Sequence, residues 1–185
     1  MAAIKKIINL IKRLFRKPLT MAQYIDKLRA NGVKIGENAD IINSVLDVAH
    51  GYLISIGNNV TITNATILTH DASLKKTIGY SKIGRVEIGN DVFVGYGAII
   101  LPNVKIGNNV IIGAGSVVTH DIPDNSVAVG SPARVVGSYS DTVKKNQERI
   151  NAYPTYNTDY SVGISEEEKI QVNEALKKSG WGFDL

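Results

Sequence analysis

The chain has 185 residues, 44% hydrophobic but only 6% aromatic, with 17 Gly, no Cys and a formal net charge of +4. That length favours one domain with short additions. Lack of Cys excludes disulfides, thiolate catalysis and Cys-ligated metal, and no stretch holds the roughly 18 uncharged apolar residues needed to span a bilayer. The positive charge is local: Lys5, Lys6, Lys12, Arg13, Arg16 and Lys17 stand together with no acid among them, so a nucleic-acid groove is a poor account of the whole chain.

Residues 2–17 read as a cationic amphipathic helix, with Ile4, Ile7, Ile8, Ile11, Leu14 and Phe15 at helical spacing and Pro18 as its stop. It has two readings: contact with an anionic membrane surface, or an apolar face packed on protein. It does not read as a signal peptide, because its basic residues interrupt the apolar run and no small-residue cleavage site follows. A cytoplasmic protein is expected, with the inner face of the membrane as the alternative placement. A second helix is predicted over Met21 to Asn31, started by a Thr20/Gln23 capping box and stopped by Gly32.

From Ile88 the period changes to six. The first position of each six is Ile88, Val94, Ile100, Ile106, Ile112 and Val118, always aliphatic and β-branched. The fourth is Asp91, Gly97, Asn103, Asn109, Gly115 and Asp121, the residue types that best tolerate left-handed backbone angles. The fifth is small or β-branched: Val92, Ala98, Val104, Val110, Ser116 and Ile122. Each six is then a short strand plus a turn with one aliphatic side chain pointing inward, and three sixes close one triangular coil. Coils stacked about 4.8 Å apart bury what no single coil buries alone.

An earlier stretch repeats the pattern less cleanly: Ile35-Gly36, Ile41, Ile56-Gly57-Asn58-Asn59-Val60, Ile62 and Leu68. Between Leu68 and Val86 the phase is lost, and Ile88 restarts out of register with Ile56 by sequence count. A protruding loop over residues 69–85 is expected there, and solenoids place function on such insertions. The segmentation is therefore residues 1–32 helical, 33–136 the coil, and 137–185 a tail with a helix from Ser165 to Ser179, capped by Ser165 with Glu168 and ended by Gly180.

The sixes, the Thr69-His70-Asp71 of the loop, and the Asp121-Ile122-Pro123 and Gly130-Ser131-Pro132-Ala133-Arg134 ending resemble the hexapeptide-repeat acetyltransferases. Galactoside, maltose and serine acetyltransferases and those of bacterial surface polysaccharides are of this kind. The resemblance covers about Val33 to Val136. It implies a mainly β fold: a left-handed parallel β-helix, a triangular prism with helices before and after it, assembled as a homotrimer with sites between prisms. It implies acetyl-coenzyme A as cosubstrate, no metal, and a sugar or sugar-nucleotide acceptor acetylated at a hydroxyl or amino group.

That chemistry needs one general base, and an imidazole titrates near cellular pH. His70 matches the catalytic His of the sugar enzymes and is the first candidate. His50, seven residues before Gly57, resembles that of the serine enzymes and is the second. Asp47 or Asp71 would orient one of them. For the coenzyme, the resemblance implies Tyr96, Ala114, Thr119, His120 and Arg134, although a further basic position of the family falls at Gly137 here. For the acceptor it leaves Asp71, Asp47 and Tyr80, with Lys75 and Lys76 nearby on the loop. Two other classes compete. A trimeric zinc carbonic anhydrase would need three His on one metal, and gaps of 20 and 50 residues make that hard. A non-catalytic β-helix scaffold needs no His in the loop.

Overall fold

A computed structural model describes residues 19–158 and 163–184; the helix expected over residues 2–17 lies outside them. The chain divides into two units, Met1–Val136 and Gly137–Leu185. The first is the left-handed parallel β-helix. Strands of two to four residues stack into three parallel sheets, one per prism face. One face holds Lys34–Ile35, Ile54–Ile56, Val86–Ile88 and Val104–Ile106. The next holds Asp40–Ile42, Thr61–Thr63, Val92–Val94, Val110–Ile112 and Ser126–Val129. The third holds Val45–Leu46, Thr66–Ile67, Ile99–Ile100 and Val117–Val118.

The first and fifth positions of the sixes fill the prism. Val94, Ile100, Ile112, Val118, Ala98, Val110 and Ser116 have no exposed surface, and Ile88, Ile106, Val92, Val104 and Ile122 are buried with them. The fourth positions turn the corners. Asp91, Asn103 and Asn109 have φ of 55°, 62° and 53°, in the left-handed region. Asp121 departs from this pattern: it is absent from the left-handed residues, and its Oδ1 accepts the Lys105 N–H at 2.8 Å. One corner carries a side-chain ladder. The N–H groups of Glu37, Asn58, Asn90 and Asn108 donate in turn to Asn58, Asn90, Asn108 and Asp124 Oδ1, at 2.7–2.9 Å. Such a ladder satisfies backbone donors that a turn would otherwise leave unpaired.

Two readings of the early repeat change. Ile56 stacks directly on Ile88, so the two are in spatial register although the count between them is not a multiple of six. The surplus residues leave the prism and return to the same coil. Ile67, not Leu68, is the inward residue: it is fully buried and pairs with Ile100, while Leu68 is only half-buried. The step from Ile62 to Ile67 is one residue short of six, as is the step from Ile41 to Leu46 on the coil before, so the corner between these two faces is one residue shorter in the first two coils.

The excursion has more structure than an open loop. His70–Asp71 pairs antiparallel with Lys82–Ile83, and a helical turn, Lys75–Ile78, lies between them. Before the coil, the helix Met21–Ala30 has the expected Thr20/Gln23 capping box, buries Ile25 and Leu28, and is tied to the first coil by the Tyr24 hydroxyl, which donates to the Ser44 carbonyl at 3.0 Å. In the second unit, the helix Glu166–Ser179 has its Ser165/Glu168 capping box and Gly180 cap. A helix over Tyr139–Ile150, N-capped by Ser138, was not anticipated, and Thr155–Tyr156 pairs parallel with Phe183–Asp184.

Glycine is required where coils touch. A Cβ on Gly89 would sit 2.7 Å from the Gly107 carbonyl oxygen and 2.8 Å from Asn108 Oδ1, and Gly107 is backbone that cannot yield. Gly89→Ala is therefore expected to destabilise the fold by about 1–3 kcal/mol, as overpacking does, read as a lowered urea midpoint with an unchanged slope.

Candidate active site

The site forms where the third prism face meets the excursion. Asp47 follows the strand Val45–Leu46, and Thr69 and His70 follow Thr66–Ile67, the strand stacked on it. Adjacent coils thus bring together residues 23 positions apart. Asp47 N–H donates to the Ile67 carbonyl at 3.0 Å, which fixes the carboxylate under the start of the excursion. Thr69 is fully buried. Its carbonyl accepts the Gly84 N–H at 2.8 Å, closing the neck of the hairpin.

One oxygen, Asp47 Oδ2, accepts three hydrogen bonds: from the Thr69 hydroxyl at 2.6 Å, from the Thr69 N–H at 3.3 Å, and a very short one from His70 Nδ1. The Asp47 side chain is only 8% exposed. Burial alone would push its carboxyl up, but the Thr69 hydroxyl, the His70 ring and the Thr69 N–H outweigh it and hold the group at about 2. Asp47 is therefore an anion at any physiological pH. An ionised carboxylate only accepts, so His70 carries its proton on Nδ1 and presents the Nε2 lone pair. Nε2 makes no hydrogen bond within the described residues, and the ring is 38% exposed. This is an oriented, accessible imidazole with a lone pair able to take a proton.

His50 stands beside it on the 3₁₀ segment Val48–Leu53. Gly51 in that segment lies against the C-terminus of the first helix: a Cβ there would be 2.2 Å from the Asn31 carbonyl oxygen. The helix thereby braces the segment. The His50 and His70 ring centroids are 5.3 Å apart. His50 Nδ1 is 3.7 Å from Asp47 Oδ2, beyond hydrogen-bonding distance. The 20-residue gap is about one coil, as expected of two histidines that approach one cleft, so the two rings are neighbours.

The other expected residues spread over several places. Asp47, expected at the acceptor, is behind the base, its Oδ2 taken by Thr69 and His70. Asp71 accepts the Ser73 N–H at 2.8 Å, which holds its carboxyl below the usual range, so Asp47 and not Asp71 orients His70. Tyr80 is 77% exposed on the excursion, and Lys75 and Lys76 are exposed there too. Thr119 and His120 follow Val117–Val118, at the same corner as His70 but two coils on, joined by a 2.7 Å hydrogen bond between Thr119 Oγ1 and His120 Nδ1. Tyr96 and Ala114 stack at the preceding corner, where the Gly115 N–H donates to the Tyr96 carbonyl at 2.8 Å, and both are exposed. Arg134 donates to the Ala133 carbonyl at 2.9 Å. Thr69 had no assigned role in the sequence. It stands in a stretch that also holds Thr61, Thr63 and Thr66, so nothing in the sequence set it apart.

A prism of sixes with an oriented histidine where the repeat breaks defines a class, and comparison with known proteins agrees. Residues 85–120 match the bacterial transferase hexapeptide family of six repeats. The chain is 40% identical to Protein CapG of Staphylococcus aureus over 86% of this chain and 92% of that one. It is also 40% identical to a galactoside O-acetyltransferase of Lactococcus lactis, over 60% of this chain and 52% of that relative. A solved galactoside acetyltransferase in complex with coenzyme A superposes with a TM-score of 0.52 at 26% identity, covering 76% of this chain and 82% of that one. The chain belongs to the hexapeptide-repeat transferases and is an acetyltransferase. That class sets aside the scaffold and carbonic anhydrase readings. No helix among the described residues is long and apolar enough to cross a membrane.

Proposed function

We propose that this enzyme moves the acetyl group of acetyl-coenzyme A directly onto a hydroxyl or amino group of a sugar or nucleotide-linked sugar, with His70 as general base, in the building of a bacterial surface polysaccharide. The observation that carries this reading is the Asp47–His70 pair with Nε2 open. An acceptor hydroxyl or amine is a poor nucleophile until a proton leaves it. His70 Nε2 takes that proton as the acceptor oxygen or nitrogen attacks the thioester carbonyl. The tetrahedral intermediate collapses, the carbon–sulfur bond breaks, and the imidazolium returns the proton to the departing thiolate. Asp47 stabilises the imidazolium without itself taking the proton.

Acetyl-coenzyme A is the acyl donor. For its binding the candidates are Tyr96, Ala114, Thr119, His120 and Arg134; for the acceptor they are Tyr80 and Asp71 on the excursion. The sugar acceptor rests on the likeness to galactoside acetyltransferases, and the surface-polysaccharide role on the motif resemblance. Homotrimer assembly belongs to the same reading: Tyr52, Phe93, Tyr96 and Ile83 expose apolar surface that neighbouring prisms would cover. The test is thiol release from acetyl-coenzyme A across a panel of free sugars and sugar nucleotides. Acceptor-dependent release should appear with at least one of them. Release with amino acids alone and with no sugar would overturn the sugar reading.

A further inference from the structure

His50 raises a question that the base reading leaves unanswered. Its Nδ1 is buried and has no hydrogen-bond partner among the described residues. An unsatisfied buried polar atom is unfavourable, and the nearby Asp47 Oδ2 already accepts three hydrogen bonds from Thr69 and His70. Asp47, His50 and His70 each offer one ligand atom, and these atoms all lie within 4.8 Å of one another. Donors about 2.0–2.1 Å from one zinc ion stand roughly 3.4 Å from each other at tetrahedral angles. The 3.7 Å between His50 Nδ1 and Asp47 Oδ2 is close to that spacing already. The His70 contact, set for a shared proton, must open to admit a cation.

We propose that Asp47, His50 and His70 form a Zn²⁺ site that holds the enzyme off. Two imidazoles and one carboxylate suit zinc and leave the fourth position to water. The buried carboxylate supplies the anionic ligand. The ion replaces the proton on His70 Nδ1. That ring then carries its proton on Nε2, displaced there through solvent, and the lone pair that would accept the acceptor's proton is gone. Zinc in this position is an inhibitor, not a cofactor: it competes with the hydrogen bond that makes His70 a base. His50 is then the residue that turns an ordinary Asp–His pair into a three-donor site, and its orphaned Nδ1 is the open ligand.

The inhibitory half rests on the reading of His70 as base; the binding half does not. The test uses the full-length, untagged protein, stripped with chelator and titrated calorimetrically with zinc chloride. The chain has 3 His and no Cys, so competing ligands are few. One ion per chain is expected, with an affinity in the micromolar range or tighter. Asp47→Asn, His50→Ala and His70→Ala should each weaken it by about tenfold or more, with far-UV circular dichroism showing each variant folded. His120→Ala should leave it unchanged. Cobalt should give the visible bands of a four- or five-coordinate ion, lost in His50→Ala. Zinc should stop acetyl transfer over the same concentrations at which it binds, and chelator should restore it. No binding to the folded wild type, or equal binding in all three variants, would overturn the site. Full turnover with the ion bound would overturn the inhibition. By contrast, wild-type turnover in His70→Ala removes the base reading but leaves the zinc site of the wild type standing, so the two failures are separable.

Discussion

Replacing His70 by Ala will lower kcat by about 10²–10⁴-fold, the usual contribution of a positioned general base, while acetyl-coenzyme A still binds. The reason is geometric. Nδ1 is committed to Asp47, Nε2 is unpartnered, and the ring is accessible where the coil gives way to the excursion. Among the described residues, no other side chain of comparable orientation stands nearby. His50 approaches the same carboxylate oxygen at 3.7 Å but makes no hydrogen bond to it, so neither its ring nor its tautomer is fixed. The variant should fold normally, because His70 is half-exposed and contributes nothing to the prism core. Single-turnover rates and equilibrium binding of acetyl-coenzyme A separate the two effects: the first collapses, the second holds. Exogenous imidazole should restore part of the rate by entering the vacated space. Near-normal turnover would pass the role of base to His50.

The prism was legible because its rule is local. Each six specifies one inward aliphatic and one left-handed corner, and both follow from residue type alone, as at Ile88 and Asp91. Helix ends were legible for the same reason: the Thr20/Gln23 and Ser165/Glu168 boxes are complete within four residues. Ser138 caps Tyr139–Ile150 by accepting from the Asp141 N–H, but Asp141 is not the Glu or Gln that completes a capping box, so the start signal was weaker.

What sequence reading could not supply was long-range register. Counting from Ile56 to Ile88 says the repeat is broken, whereas stacking says only that a hairpin was inserted into one coil. The short step at Ile67 is invisible because Ile67 and Leu68 are both aliphatic. The candidate site lies on these same two irregularities. His70 was visible as an unusual residue beside the interruption, and Asp47 as one of two acids able to orient it. The choice between Asp47 and Asp71 required knowing that Leu46 pairs with Ile67 and that Asp71 spends its carboxylate on the Ser73 N–H. Thr69 is the clearest loss: its hydroxyl and N–H, with the His70 ring, keep Asp47 ionised, yet in sequence it is one threonine among many.

Asp47→Asn should show that the carboxylate serves catalysis and fold by different means. An amide can keep the shape but not the charge. With its oxygen towards His70 it accepts a weaker, neutral hydrogen bond. With its NH₂ there it donates to Nδ1, moves the proton to Nε2 and removes the base. Either way kcat should fall by about 10²-fold or more, approaching the roughly 10⁴ that a wrong tautomer costs a serine hydrolase, with little change in KM. Stability should respond to pH in a defined sense. The Asp47 carboxyl is held at about 2 against an ordinary 3.8, so the fold favours its charged form. Its contribution is complete above the ordinary value, shrinks as pH falls towards 2, and is lost below that. The shift corresponds to roughly 2 kcal/mol. Urea unfolding of wild type and variant should therefore differ by about that much at neutral pH, and the gap should close as acid protonates the wild-type carboxylate. The lost turnover, by contrast, should be present at every pH where the wild type works. A stability gap that persists undiminished in acid would mean that the shape of the Asp47 side chain, and not its charge, is what Thr69 and His70 hold.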